Sequence, residues 1–254
     1  MAWSFYHYDP TLAGAIIALI FYGASTGLHV FQLWQLKCYF FTTFIIGAIM
    51  MTLGYLFRAA SSQHPTALGL YIGQNVCLLL PPSLYAATIY MIYGRIVVYA
   101  QSPEQSIIAP GKVTKIFVLG DVFAFLLQAS GGGMMAMESM AKMGQNITIV
   151  GLFVQLVFFG FFFAKTKRVK ILHMPYGALL YVLFLVSALI IVRCLYRIVE
   201  FVQGNDGYLM RHEAYLYVFD TIPMFVVQAI FHRYHPAKVL PQKGKFGRVD
   251  TELR

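Results

Sequence analysis

Charge is scarce in this sequence. Of its 254 residues, 19 are Lys or Arg and only 10 are Asp or Glu, so charged side chains make up 11% of the chain. Soluble domains carry about a quarter, and a chain this poor in charge lacks the polar coat that an aqueous fold needs. That excludes an ordinary cytosolic enzyme, and a hydrophobic share of 59% excludes a disordered chain. Cysteine is sparse too. Cys38, Cys77 and Cys194 form no CxxC pair and no even set, which excludes a secreted disulfide scaffold; each reads as a buried small hydrophobe. Catalytic signatures are missing as well: there is no HExxH, no GxSxG and no Ser/His/Asp arrangement at shared depth. Gly131-Gly132-Gly133 lacks the strand context and GK[ST] of a nucleotide loop, so close helix packing is its expected role. His7, His64 and His212 fall near one face but match no ligand spacing, and no enzyme, metal site or cofactor is predicted.

What the chain has is long apolar runs, at a mean hydropathy of +0.68. A bilayer core takes about 20 mostly apolar residues per helix, and such runs lie near 11–36, 40–60, 67–93, 113–138, 146–165, 176–203 and 211–233. Helix starts are marked by Pro10, Pro65, Pro110-Gly111 and Pro175, and Gly204-Asn205-Asp206-Gly207 signals a turn. Pro81-Pro82 and Pro223 remove backbone donors and are expected to kink or break their helices. The predicted fold class is an all-α integral membrane protein: seven transmembrane helices in one bundle, a single domain over 1–254, with a short basic tail at 234–254. Met1 to Pro10 holds no Lys or Arg, so the first span does not read as a cleaved signal peptide. Asn146-Ile147-Thr148 is a glycosylation sequon that abuts a span, which argues against its use.

Loop charge sets the expected orientation. Lys37, Arg95, Lys112, Lys115, Lys165, Lys167, Arg168, Lys170, Arg233, Lys238, Lys243, Lys245, Arg248 and Arg254 fall on one side; Lys142 and Arg211 fall on the other. The positive-inside rule then predicts an external N-terminus and a cytosolic C-terminus. An anionic cytoplasmic leaflet is the expected partner of the basic loops and tail, and nucleic acid is not.

Seven ionisable residues fall inside the spans: Arg58, Asp121, Arg193, Arg197, Glu200, Glu213 and Asp220. At about 2.5–3.5 kcal/mol each, leaving all of them unpaired costs on the order of 20 kcal/mol, more than the ~5–15 kcal/mol stability of a typical domain. They must pair, face the interior or line a hydrated cavity. Arg193, Arg197 and Glu200 stand at i, i+4 and i+7 on one helical face; Glu213, Tyr217 and Asp220 repeat that spacing. With Arg58 and the Gln74-Asn75 pair at similar depth, they form one expected constellation, three Arg against three acids, with Asp121 deeper toward the cytosol. It reads either as interhelical ion pairs that fix the packing or as a polar binding cavity. His29 and Gln32 lie on the cytosolic part of helix one, and His29 reads as a hydrogen-bonded interior residue.

An ordered string runs through the same region: Gly54-Tyr55 with Arg58; Pro82, Ala86-Ala87 and Ile89-Tyr90; Asp121, Gln128 and the glycines at 131–133; then Gly151-Leu152 with Gln155. It closes as R-x3-R-x2-E from Arg193, His212-Glu213, Tyr217-x2-Asp220 and His235-Pro236. In these residues the chain resembles the fungal seven-helix lipid-translocating exporters, the RTA-like proteins, over nearly its whole length from Tyr8 to Pro236. One position departs: where the family commonly has Glu three residues before the Gly-Tyr pair, this chain has Met51. The resemblance implies a plasma-membrane translocator of amphipathic, lipid-like molecules such as sphingoid bases, sterol-like compounds or toxic amphiphiles. The polar residues in the spans give the expected substrate-binding set: Arg58, Gln74, Asn75, Asp121, Gln128, Arg193, Arg197, Glu200, Glu213, Tyr217 and Asp220. No ATP motif is present, so transport must use a gradient or equilibrate leaflets. A seven-helix receptor for a lipid-like ligand is the alternative; against it stand Tyr93-Gly94-Arg95 in place of a DRY-like end and a seventh helix without lysine.

Overall fold

The computed structural model describes residues 11–64, 67–99, 110–135, 137–167, 177–204 and 207–238. Pro10, Pro65, Pro175, Asn205, Asp206 and the tail beyond Lys238 lie outside the described residues, as do His7, Arg168, Lys170 and the connection at 100–109. Every regular element among the described residues is helical, and seven segments are long and apolar enough to cross a membrane.

Helix α1 (Leu12–Leu36) closes on Lys37, which takes the left-handed backbone at φ 49° and returns its N–H to Leu33 O at 2.8 Å. A single turn of 3-10 helix, Tyr39–Phe41, leads into α2 (Thr42–Gln63), so the second span starts at Tyr39. The third span is two helices, α3 (Leu68–Leu79) and α4 (Pro81–Tyr99), interrupted at Leu80. Pro81 and Pro82 have no N–H to offer the carbonyls of Cys77 and Leu78 four residues back, so the ladder fails where the two prolines stand. Helix α5 (Pro110–Met135) begins on the expected proline. Next come α6 (Ala141–Lys167) and α7 (Gly177–Gln203), and a turn through Gly204, at φ 72°, ends the sixth span. After the one-turn α8 (Tyr208–Arg211), the seventh span runs as α9 (Glu213–Leu216), a π turn at Tyr217–Thr221, and α10 (Ile222–Arg233). The wide turn lies immediately before Pro223. It absorbs the residue that the proline would otherwise force out of the ladder.

Some span ends differ from the sequence reading. The helix of the fourth span runs from Pro110 to Met135, and the fifth helix starts at Ala141 rather than near 146. Gly144 explains the early start: a Cβ there would meet Gly131 O at 2.5 Å and Met135 N at 2.6 Å, so α6 joins α5 at backbone contact one turn before the apolar run. Asn146 of the sequon therefore lies inside α6, and Thr148 is buried with its hydroxyl on Gly144 O at 3.0 Å. Of the three consecutive glycines, only Gly131 is in close approach; Gly132 and Gly133 have nothing within 4 Å of a built Cβ.

The core joins side chains of all seven spans, among them Tyr22, Phe44, Tyr85, Phe117, Phe159, Leu183 and Val227. Outward faces are equally apolar, as Ile20, Leu119 and Val202 show, each more than 60% exposed. A helix that is apolar on both its inner and outer faces suits a lipid solvent. Cys38 and Cys194 are buried and Cys77 half-buried, all three as free thiols. Met51, at the departing family position, is fully enclosed in the apolar core.

Candidate functional site: a buried polar column on the seventh span

Successive helices alternate in direction, so Thr11, Gln63, Gln203 and Glu213 gather at one end of the bundle. At that end Glu213 collects four donors. Arg58 Nη2 gives a bond of 2.7 Å to Oε1, and the Tyr217 hydroxyl donates to the same oxygen at 3.2 Å. Thr11 supplies its backbone N–H at 2.9 Å and its hydroxyl at 2.7 Å to Oε2. The Arg58 guanidinium also lies 5.7 Å from the Tyr217 ring centroid.

Two turns further in, Asp220 sits between the arginines of α7. Arg193 Nε donates to Oδ1 at 2.5 Å and Arg197 Nη2 donates to Oδ2. Arg197 also reaches Glu200 through Nη1 at 2.9 Å, and Tyr196 donates to Glu200 at 3.1 Å. The i, i+4 spacing of the arginines is what aims both at one carboxylate. Arg193 Nη2 then crosses to Leu78 O at 2.7 Å. That carbonyl is one of the two that Pro81 and Pro82 release, so the helix break in the third span makes the acceptor that Arg193 fills. Arg193 and Asp220 have no exposed surface. Counted with Arg58 and Glu213, three guanidiniums balance three carboxylates.

Polar contacts continue along the seventh span. Tyr55 donates to Thr221 Oγ1 and Tyr22 to Thr221 O, both at 2.6 Å. Gln228 Nε2 donates to the Tyr85 hydroxyl at 2.7 Å, and its backbone carbonyl accepts from His29 Nε2 at 3.2 Å. The His29 ring stacks on His232 at 3.7 Å between centroids, and His232 lies 2.9 Å from Ser25 Oγ and 3.2 Å from Gln32 Oε1. From Glu213 to His232 is 19 residues; at 1.5 Å rise that is about 28 Å, close to the ~30 Å hydrocarbon thickness of a bilayer. The column is occluded, with Arg193, Asp220, Gln228 and His29 all enclosed.

The expected single constellation resolves into two ion-paired groups, Arg58–Glu213 and Arg193–Asp220–Arg197–Glu200, strung along one span. Tyr217 belongs to the first. Gln74 is buried one turn before Leu78 on α3; Asn75 is half-buried, and no described hydrogen bond ties it to either group. Asp121 and Gln128 stand apart on α5. Gln128 Nε2 donates to Gln155 Oε1 at 2.8 Å, joining α5 to α6, while Asp121 faces the Tyr90 hydroxyl of α4. The sequence reading puts Asp121 deeper than the constellation, and the contacts set both residues apart from it. Thr11, Tyr22, Tyr85, Thr221 and Gln228 are column residues that the sequence reading does not single out, and Tyr55 enters it only beside Gly54 in the family string. A signal exists in the polar row at helical spacing: Tyr22, Ser25, His29 and Gln32 on α1 repeat every three or four residues.

Seven apolar helices with their charges turned inward define a multi-pass membrane protein built around a polar interior. The chain belongs to the RTA1-like family, whose model matches residues 44–243. It is 42% identical over 203 residues to protoporphyrin uptake protein 1 of Saccharomyces cerevisiae, covering 75% of this chain and 67% of that protein. To protein RTA1 of the same yeast it is 42% identical over 200 residues, 74% of this chain and 63% of that one. The sphingoid long-chain base transporter RSB1 of Saccharomyces cerevisiae is 23% identical over 274 residues, 89% of this chain and 72% of the relative. The match thus spans about two thirds of the length of the first two of these yeast relatives. No solved structure matches it.

Proposed function

We propose that this protein translocates amphipathic, lipid-like molecules between membrane leaflets. The observation that carries the reading is the column: donors, acceptors and balanced charges succeed one another over a length close to the hydrocarbon core. A headgroup leaving water for hydrocarbon forfeits its hydrogen bonds, at several kcal/mol per group. A file of protein partners offsets that cost while the tail stays among acyl chains. An amine would engage Glu213, Glu200 or Asp220. A phosphate would engage Arg193 and Arg197, whose Nη1 and Nε, respectively, are buried without a hydrogen-bond partner among the described residues. Relatives named for a sphingoid base and for protoporphyrin point to cargo of this amphipathic kind.

The enclosed column is the occluded arrangement, and opening needs α10 to part from α7. The π turn beside Pro223 and the α3/α4 break are where the backbone ladders are already interrupted. In this reading the N-terminus is external and the C-terminus cytosolic, the basic segments lie against an anionic leaflet, the protein resides in the plasma membrane, and no bond of the cargo changes.

Reconstitution tests it. The purified protein is placed in phosphatidylcholine vesicles with nitrobenzoxadiazole-labelled sphinganine or phosphatidylcholine, and leaflet exchange is read by dithionite quenching. The wild type is expected to accelerate exchange of at least one probe, and the Glu213→Ala, Asp220→Ala variant to do so far less. Equal rates with both proteins would contradict the reading, and retained binding with no exchange would point to a receptor.

A further inference from the structure

Among the described residues, one charge in the bundle has no counter-charge. Away from the span ends, the three arginines are matched by Glu200, Glu213 and Asp220, so the paired groups sum to zero. Asp121 remains. It is only 2% exposed, it lies eleven residues after α5 begins at Pro110, and among the described residues no Lys or Arg pairs with it. A lone carboxylate in that position has neither the water nor the cation that an ionised acid needs, and buried groups of this kind neutralise instead.

The surroundings supply no substitute. From α4 comes the Tyr90 hydroxyl. Arg95, further along α4, has its guanidinium 4.0 Å over the Phe40 ring. From α7 comes the Cys194 thiol, with Arg193 beyond it already held by Asp220 and Leu78 O. Helix α6 carries titratable residues only at its ends, Lys142 in the first turn and Lys165 and Lys167 in the last; α5 itself has Lys112 and Lys115 near its start, and α3 has Tyr71 and Cys77. On the face of α5 that carries Asp121, Gln128 follows two turns on. Gln128 Oε1 and Gln155 Nε2 are both buried without a hydrogen-bond partner among the described residues. A second polar track thus leads away from Asp121, separate from the column on the seventh span.

We propose that Asp121 is a proton-binding site, loaded and unloaded as cargo crosses, so that translocation draws on a proton gradient. The compensating positive charge is a proton on a carboxylate oxygen; it is taken up from one side and given back to water on the other. The Gln128–Gln155 pair extends the polar surroundings along which it moves. The coupling rests on the translocator reading, whereas proton occupancy at Asp121 does not.

Two measurements separate them. N,N′-dicyclohexylcarbodiimide adds to protonated carboxyls in apolar surroundings, giving an acylurea that a mass spectrum locates. In the purified full-length protein, treated at a series of pH values from about 5 to about 9, the label is expected on Asp121, weakening as the pH rises; it should be absent in Asp121→Asn, restored in Asp121→Glu, and absent from Asp220. A folded protein unlabelled at Asp121 over that range overturns the proposal. In proteoliposomes carrying labelled phosphatidylcholine, whose headgroup does not titrate there, the exchange rate is measured with and without a gradient of about one pH unit, which offers up to about a tenfold bias for one proton. The ratio of the two rates is expected to exceed one in the wild type and to fall to one in Asp121→Asn. A wild type that exchanges probe at a rate blind to the gradient overturns the coupling while leaving translocation intact. A wild type that takes the label but exchanges no probe defeats the translocator reading instead.

Discussion

Arg193 and Arg58 are both buried guanidiniums on acids, yet they are held differently, and their removal should not cost the same. Arg193 bonds Asp220 and, through Nη2, the carbonyl that the proline pair released on α3. Its loss strands a fully enclosed carboxylate and an acceptor that has no helical donor. Breaking a buried pair in this way costs about 3–5 kcal/mol. Glu213 is 10% exposed at its side chain and keeps both Thr11 donors and Tyr217 when Arg58 is gone. About 1.5 kcal/mol, the weight of one charge-assisted bond, is expected there. Titration of folded protein with sodium dodecyl sulfate should therefore place the midpoint of Arg193→Leu well below that of Arg58→Leu, and equal midpoints would mean that Asp220 does not depend on Arg193. The need for pairing was legible in the sequence, because the cost of an unpaired charge in lipid follows from composition alone. The partners were not. Arg58 could have met any of three acids, and only the rotation of each helix about its axis settles on Glu213. Met51, at the position where the family commonly has an acid, lies in apolar packing and leaves Arg58 to the seventh span.

Among the elements, α5 and α6 meet most closely, and Gly131, Gly144 and Gly151 bring backbone against backbone. A Cβ at Gly131 would run into Thr148 Oγ1 and fall 2.5 Å from Gly144 O. Backbone cannot yield as a long side chain does, so Gly131→Ala is expected to cost at least about 1–3 kcal/mol, the range for overpacking. At Gly132 nothing lies within 4 Å, and an alanine gains up to about 1 kcal/mol of helix propensity. The same detergent titration should move in opposite directions for the two variants; similar losses at both would contradict the close approach. A run of three glycines reads as a packing motif, but no linear pattern says which of them faces the neighbour. The helix breaks had a clearer signal. Pro81-Pro82 announces a lost donor, and the structure adds what the sequence could not: the guanidinium that takes the freed carbonyl comes from a helix more than a hundred residues away.

At the scale of the whole molecule, seven spans were readable because hydropathy is a property of the chain taken in order. The charged part of the column was readable, but the rest was not, because it is assembled from hydroxyls and amides on α1, α2, α4 and the seventh span that look like ordinary apolar-helix residues one at a time. With 17 Tyr and 22 Phe, nothing in the sequence sets Tyr22 and Tyr85 apart from aromatics that face lipid. The central claim is that this column is the path of the headgroup, and its middle is the place to interrupt it. Tyr85→Phe with Gln228→Leu removes both partners of one bond and keeps their shapes, a change that is nearly neutral for folding. If the bond forms one stage of the path, a barrier higher by about 1.4 kcal/mol slows crossing tenfold. Leaflet exchange in proteoliposomes is therefore predicted to fall at least about tenfold while the unfolding midpoint stays in place; exchange at the wild-type rate in that folded double variant would contradict the account.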